Sequence, residues 1–290
     1  MDTTELLKKV RKIEIKTKGL SKQIFSGEYS SAFKGRGMSF SEVRSYQYGD
    51  DVRNIDWNVT ARTGEPHVKI FEEERELTVI LLVDVSKSVY FGTAKQMKSD
   101  LITEICAVIS FSAINNNDKV GVLFFSDKIE KFIPPKKGRQ HILRIIRELV
   151  NFEPESGQTN IAMALEYFNN VIKKRCICFL LSDFQDDSYE DALKIVARRH
   201  DIIGLNVYDE KEKQIPRSGF LIRFQHAESG KGGYLDPFTS SSREKYEKSF
   251  TANQKYFKEA FIKSGADSIT LVTNKPYVNV LLNFFKKRSN

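Results

Sequence analysis

Short apolar runs alternate with amphipathic segments along most of this chain. The runs at residues 79–83, 120–125 and 176–181 predict strands that are buried on both faces, as in a parallel sheet. Between the first two runs, apolar residues recur at helical spacing from Met97 to Val108. Strands that alternate with helices are typical of an α/β fold with a doubly wound, mostly parallel sheet.

The same two patterns predict the later elements. Residues 129–133 predict a short edge strand that ends at Pro134 and Pro135, because proline cannot donate a hydrogen bond to a neighbouring strand. Helical spacing marks segments around residues 142–149, 161–168, 192–197, 243–264 and 278–287, and further strands are predicted at 202–207, 219–225 and 269–272.

The first 74 residues have a different character. Residues 3–18 predict an amphipathic helix, with Thr3 or Thr4 as its N-cap, and glycine and serine interrupt the pattern after it. A polar and aromatic segment follows, and it contains the only tryptophan, Trp57, which we expect to anchor a small core. We therefore predict a small amino-terminal subdomain in residues 1–74 and a larger α/β domain in residues 75–290.

Composition narrows the class of protein. The chain has 290 residues, of which 40% are hydrophobic, and a net charge of +8. Its apolar runs are all shorter than the roughly 20 residues that a membrane-spanning helix requires, and its charged amino terminus does not resemble a signal peptide. We expect a cytoplasmic protein without a membrane span. The basic clusters lie beside helical patterns, which favours solvated helix faces over nucleic-acid binding.

The cysteines do not indicate a disulfide framework. There are three of them, an odd number, and Cys176 and Cys178 alternate within an apolar run. We expect Cys106, Cys176 and Cys178 to be reduced residues of the core.

Polar residues follow two of the predicted core strands. Asp84, Ser86 and Ser88 come directly after the first run, and Asp183 follows the run at 176–181, while Thr159 lies just before a predicted helix. In open α/β sheets the carboxyl ends of the strands form the ligand-binding edge. If the two strands are neighbours, these five side chains meet at one edge. Their donors are all oxygens, which suits a hard divalent cation such as Mg²⁺, Mn²⁺ or Ca²⁺.

Such a cation would keep much of its positive charge. The hydroxyl groups carry no formal charge, so at most two carboxylates offset the dication. An open coordination position could then accept a carboxylate from another protein. This geometry favours adhesion over catalysis.

The spacing Asp84-x-Ser86-x-Ser88, together with Thr159 and Asp183, resembles the metal-ion-dependent adhesion site of von Willebrand factor A domains. The resemblance implies that the two serines and the threonine contact the metal. It also implies that the two aspartates act directly or through water.

The stretch from Tyr48 to Trp57, YGDDVRNIDW, is similar to a motif of the bacterial domain-of-unknown-function 58 family, which joins such a segment to a von Willebrand A-like domain. The resemblance extends from about residue 15 to the carboxyl terminus. It implies a partner among the MoxR-type AAA+ ATPases, or a client protein, in protein assembly or maturation. Many relatives have a small residue and methionine after the second serine, where this chain has Val89 and Tyr90.

Two other functions are consistent with these residues. A metal-independent scaffold would use residues 36–62 as its interaction surface, and for Asp50, Asp51 and Arg53 internal pairing and partner binding both remain open. A magnesium-dependent hydrolase or phosphotransferase would use Asp84 as its nucleophile. Against this, haloacid-dehalogenase-type enzymes require an aspartate at the position of Ser86, and the four histidines are scattered.

Overall fold

The computed structural model of this protein describes residues 10–11, 13–14, 16–17, 38–73, 77–90, 92–93, 96–153, 157–213, 222–225, 232–235 and 240–289. The chain forms two compact units: Lys34–Leu77, and a larger unit of Met1–Phe33 with Thr78–Asn290. The sequence placed the first helix in the amino-terminal subdomain, whereas this grouping places residues 1–33 with the larger unit. Lys16 in that helix pairs with Glu104 at 2.7 Å, and Glu14 pairs with Arg139.

The sheet of the larger unit has strand order β12-β9-β8-β3-β6-β7 in the described residues. The strands are β3 (Thr78–Asp84), β6 (Lys119–Phe125), β7 (Ile129–Lys136), β8 (Ile177–Ser182), β9 (Asp201–Tyr208) and β12 (Asp267–Val272). Every neighbouring pair is parallel except β6 and β7. The predicted mostly parallel sheet is confirmed, and β3 lies in its interior.

Helices cover both faces of this sheet. They are α2 (Lys98–Asn115), α3 (Arg139–Val150), α4 (Ile161–Val171), α5 (Glu190–Ala197), α6 (Ser240–Ser264) and α7 (Tyr277–Ser289). Ile80 and Leu82 of β3 face a core built with α4, α5 and α6. Their neighbours Val79, Leu81 and Val83 point to the opposite face, because strand side chains alternate. α2 packs against β3, β6 and β9, and Tyr277 of α7 donates to Glu104 of α2 at 2.6 Å.

Short pairs of strands accompany this sheet. β4 (Gly92–Thr93) pairs antiparallel with β5 (Gln96–Met97), and β10 (Ile222–Gln225) pairs antiparallel with β11 (Gly232–Leu235). Part of the strand predicted at 219–225, its first three residues, lies outside the described residues, as do the predicted caps Thr3 and Thr4.

The predicted end of the edge strand at Pro134 is wrong. β7 continues through both prolines to Lys136, whose register partner on β6 is Val120. β7 is an edge strand that bonds on one side only, so a residue without an N–H group is tolerated there. The three cysteines are free and buried, as predicted. None of the helices within the described ranges is long and apolar enough to cross a membrane.

The smaller unit is built on an antiparallel pair, β1 (Met38–Ser45) and β2 (His67–Glu73), with helix α1 (Trp57–Thr63) between them. Asp56 caps α1 by accepting from the backbone N–H groups of Asn58 and Val59. The prediction that Trp57 anchors a core is wrong, because its side chain is 70% exposed. Trp57 is the first residue of a short helix of which no residue is buried.

The charged residues of the smaller unit pair internally. Arg44 makes a bidentate contact with Asp50, at 2.8 and 2.7 Å. Arg53 pairs with Asp51 at 2.8 Å, and Asp51 also accepts from the backbone N–H of Arg53. Asp50, Asp51 and Arg53 thus have internal partners, while the side chains of Arg53 and Asp51 stay largely accessible to solvent.

Candidate metal centre

The strand order brings the two predicted aspartates to one edge of the sheet. β3 ends at Asp84, and the neighbouring parallel strand β8 ends at Ser182, one residue before Asp183. Ser182 Oγ donates to Asp84 Oδ2 at 2.6 Å, which links the two strand ends directly. Both aspartates are buried, at 1% exposure. Two carboxylates that interact electrostatically therefore lie in a site shielded from solvent.

The loop after β3 folds back on its own aspartate. Asp84 Oδ1 accepts from the backbone N–H of Ser86 at 2.9 Å. A 3₁₀ turn, Lys87–Tyr90, then places the hydroxyl oxygens of Ser86 and Ser88 3.0 Å apart. The N–H of Val85 donates to Phe125 O at the end of β6. Alternate residues in one tight turn thus present one carboxylate and two hydroxyl groups to the same small region.

Thr159 lies in the loop before α4, and two contacts hold that loop. The N–H of Asn160 donates to Ser126 O, just after β6, at 2.9 Å. Asp186, in the loop after β8, accepts from the N–H of Ile161 at 2.8 Å. β6 and β8 are the two neighbours of β3. The loop of Thr159 is therefore attached to the strand ends on both sides of Asp84.

A lysine that the sequence did not single out completes the group. Lys98 is the first residue of α2 and has 0% exposure. Its Nζ lies 2.7 Å from Asp183 Oδ2 and 2.6 Å from Glu212 Oε1. Glu212 follows β9, and its other oxygen accepts from the N–H of Asp209 at 2.8 Å. In the sequence Lys98 resembles any solvent-exposed lysine at the start of a helix, so no local signal marks it.

Burial and neighbouring charges shift the pKa values of Asp84, Lys98 and Glu212. Burial, together with the negative charge of Asp183, raises the pKa of Asp84 well above its ordinary value, although hydrogen bonds from Ser182 and Ser86 oppose the shift. Burial lowers the pKa of Lys98, but the charges of Asp183 and Glu212 outweigh it, and the net pKa is raised. Burial likewise raises the pKa of Glu212 against the effect of Lys98.

Two oxygen atoms in this group have no hydrogen-bond partner within the described residues. They are Thr159 Oγ1 and Asp183 Oδ1, and both are buried. A buried polar atom without a partner is unfavourable by about 1–3 kcal/mol, so each of these two atoms is available to a ligand or a water molecule. Carboxylate and hydroxyl oxygens are hard donors, which fit Mg²⁺, Mn²⁺ or Ca²⁺. A cluster of three or more His, Cys, Asp or Glu residues that could hold a metal does not occur in the described part of the chain.

The backbone beside Asp183 has an uncommon conformation. Phe184 has φ 52°, in the left-handed region, although it is not glycine. Its N–H donates to Ser182 Oγ at 2.9 Å, and its ring lies 4.4 Å from that of Phe257. Ser182 thus holds Asp84 and Phe184 at once, a role that the sequence analysis missed. The side chain of Tyr90, which differs from the family pattern, lies outside the described residues.

Comparison with known proteins identifies relatives of this chain. The family model described as "Protein of unknown function DUF58" matches residues 42–256. Uncharacterized protein Rv1480 of Mycobacterium tuberculosis is 28% identical, over 99% of this chain and 91% of that protein.

Similar solved structures include the conserved hypothetical protein BatB from Bacteroides thetaiotaomicron. It is 13% identical, with a TM-score of 0.49, and the match covers 73% of this chain and 98% of BatB. Proximal thread matrix protein 1 from the mussel byssus, solved with a zinc-occupied MIDAS motif, is 17% identical, with a TM-score of 0.37. That match covers 74% of this chain and 47% of the mussel protein.

Proposed function

This chain belongs to the family described as protein of unknown function DUF58, and we propose that it is a non-catalytic protein-interaction module that binds a divalent cation. The proposed ligands are Asp84, Ser86, Ser88, Thr159 and Asp183. Magnesium is the first candidate ion, and Mn²⁺ and Ca²⁺ are the alternatives. The bound cation would take a carboxylate of a partner protein at an open coordination position.

The observation that carries this proposal is the pair of partnerless oxygens, Thr159 Oγ1 and Asp183 Oδ1. Each belongs to a different loop, and both loops are attached to the strand ends beside Asp84. A hard cation would satisfy both atoms and would also balance the charge of Asp84 in its buried position. Ser86 and Ser88 would add neutral donors, which leave the cation electrophilic.

The resemblance to its family extends the proposal to a partner. We infer that the chain acts with a MoxR-type AAA+ ATPase in protein assembly or maturation, and that the ATPase or a client protein supplies the carboxylate. The proposed location is the cytoplasm.

The cation is tested by thermal unfolding after chelation, with added Mg²⁺, Mn²⁺ or Ca²⁺. A ligand that binds only the folded state adds about 2.7 kcal/mol at a hundred times its Kd, so the melting temperature of wild type should rise by roughly 4–5 °C. Asp84→Ala should abolish the rise. Asp187→Ala is the matched control, because Asp187 is an exposed carboxylate in the loop after the neighbouring strand β8 and should leave the rise intact.

Two results would contradict the proposal. If none of the three ions shifts the melting temperature of wild type, the cation site does not exist. If the protein turns over a generic phosphate ester, and Asp84→Asn removes that activity, the chain is a magnesium-dependent hydrolase and not an interaction module.

One further observation favours a second candidate, a metal-independent scaffold that uses the smaller unit. Trp57 is 70% exposed, Val52 is 63% exposed, and Tyr48 is fully exposed. Large exposed apolar side chains often mark interaction surfaces. In size-exclusion binding to a purified MoxR-type ATPase, the scaffold predicts that Trp57→Ala weakens binding and Asp84→Ala does not. The metal-bridged module predicts the reverse.

A further inference from the structure

Lys98 occupies a position that is unfavourable for a positive charge. It is the first residue of α2, where the helix dipole repels cations, and it has 0% exposure. A buried ammonium is costly unless it is paired and hydrogen-bonded. The side chain reaches Asp183 Oδ2 at 2.7 Å and Glu212 Oε1 at 2.6 Å. The two carboxylates therefore hold a lysine that its helix position disfavours.

In this group the carboxylates outnumber the ammonium, and Lys98 contacts two of them. Among the described residues of this group, Asp84, Asp183 and Glu212 can contribute three negative charges, and Lys98 contributes one positive charge. Lys98 uses only one oxygen of Asp183. The other oxygen, Oδ1, has no hydrogen-bond partner within the described residues. Asp183 thus already shares its charge with one cation before a second cation binds.

We infer that Lys98 is a charge-setting residue of the cation site, and that its ammonium opposes cation binding in proportion to the charge of the ion. This inference rests on the proposed function. Because Asp183 divides its charge between Lys98 and the ion, the bound ion is neutralised less. An ion with more residual charge attracts the carboxylate of a partner more strongly. Lys98 therefore lowers the affinity of the site for the cation and raises the affinity of the bound cation for the partner.

A pair of variants isolates this single charge. Glu212→Gln keeps Lys98 and removes one negative charge, while Lys98→Gln/Glu212→Gln also removes the ammonium. The two proteins differ only at residue 98, and both keep polar side chains in the network. Lys98 keeps its contact with Asp183 in the single variant, and the double variant removes both charges of the Lys98–Glu212 pair, so both are expected to fold. Circular dichroism and the melting temperature establish this for each protein.

The Kd for Mn²⁺ is measured by electron paramagnetic resonance at pH 8, with no partner present. Glu212→Gln should bind Mn²⁺ more weakly than wild type. Lys98→Gln/Glu212→Gln should bind it at least about tenfold more tightly than Glu212→Gln, because unit charges a few ångströms apart interact by several kcal/mol near a protein surface. A purely structural Lys98 predicts the opposite, since a loosened site binds Mn²⁺ less well.

Ions of similar radius and different charge give an independent readout. The affinity gain on removing Lys98 should be larger for Tb³⁺ than for Ca²⁺, by roughly one and a half times in logarithmic units, because Coulomb energy scales with ion charge. Tb³⁺ is followed by its luminescence, with Asp84→Asn as the control for other acidic sites. A change in packing would affect both ions alike.

Three outcomes overturn the inference. The first is a folded double variant whose Mn²⁺ affinity is equal to or weaker than that of Glu212→Gln. The second is Glu212→Gln that binds Mn²⁺ as tightly as wild type, a result that needs no substitution of Lys98. The third is wild type that binds none of these ions, and this outcome alone also removes the proposed function.

Discussion

At the scale of single residues, Asp84 and Ser182 form a unit that the loop sequences alone do not contain. Ser182 Oγ donates to Asp84 Oδ2 and accepts from the N–H of Phe184, so one hydroxyl group serves two strand ends. All three residues are buried. The geometry of Asp84 therefore depends on a serine 98 positions away.

Ser182→Ala should destabilise the protein by at least about 2 kcal/mol. The change leaves a buried carboxylate oxygen and the N–H of Phe184 without partners, and each such loss is typically worth 1–3 kcal/mol. Urea unfolding at pH 7 measures the effect, with Ser188→Ala as the control. Ser188 is exposed, and its substitution should change stability by less than about 0.5 kcal/mol. Equal effects of the two substitutions would show that the Ser182 hydroxyl is not structurally important.

The lowered pKa of His200 makes the stability of the protein depend on pH. Burial lowers its pKa to about 4, and Arg199 and Arg175 add to the shift. The ring packs on Phe168, and Nδ1 lies 3.3 Å from Cys176 Sγ. Between pH 6.5 and pH 4 the unfolded chain takes up a proton at this residue and the folded chain does not. The contribution of neutral His200 to the free energy of unfolding is therefore fully present above pH 6.5. It is lost as the pH falls toward 4, by at most about 3 kcal/mol.

The test compares urea midpoints of wild type and His200→Asn at pH 7, 5.5 and 4.5. The variant should lose less stability than wild type over this range, because it cannot take up the proton. Parallel curves for the two proteins would mean that His200 does not contribute to the acid sensitivity.

At the scale of elements, close packing between β9 and α6 supports the loop that carries Asp183. Gly204 of β9 lies against the ring of Phe261 on α6, and a Cβ atom at residue 204 would overlap that ring. Phe261 in turn contacts Phe184, with ring centroids 5.7 Å apart. Glycine at residue 204 is therefore required by the approach of a helix side chain and not by backbone conformation.

Gly204→Ala should destabilise the protein by about 1–3 kcal/mol, the usual range for overpacking a core. Phe261→Leu removes the ring, so Gly204→Ala should be much less harmful in that background. A double-mutant cycle by chemical unfolding measures the coupling, which is expected to be at least about 1 kcal/mol. If the effects of the two substitutions are additive, the overlap with the Phe261 ring is not what destabilises Gly204→Ala.

At the scale of the whole molecule, the two units differ in how much core they contain. Val68 is the only buried apolar side chain among those that the structure describes in Lys34–Leu77. In the larger unit, by contrast, β3, β6 and β8 are almost fully buried. Small cores give low stability, so the smaller unit should open more readily.

Hydrogen exchange followed by mass spectrometry tests this difference. Peptides from β1, β2 and α1 should exchange at least about a hundredfold faster than peptides from β3 and β8. A few kcal/mol separates local opening from global unfolding, and that energy gives such a ratio. Equal protection in the two sets of peptides would contradict the prediction.

The sequence by itself determined the main strands and helices of the larger unit and their order. Periods of 2 and 3.6 are local, so short apolar runs and helical spacing marked the strands and helices of the larger unit without knowledge of tertiary contacts. They also placed Asp84 and Asp183 at strand ends. Ser86 and Ser88 follow Asp84 so closely that one turn brings them together, and this too is a local property.

Only the tertiary structure decided which distant groups meet. Lys98 and Glu212 are 114 residues apart, and their contact depends on the packing of α2 against β9. The same holds for Ser182 with Asp84. Trp57 shows the opposite case, since an aromatic residue predicts burial but the neighbours that would bury it are not encoded locally. Local spacing specifies what each segment becomes, whereas burial and pairing arise from segments that meet only after the chain has folded.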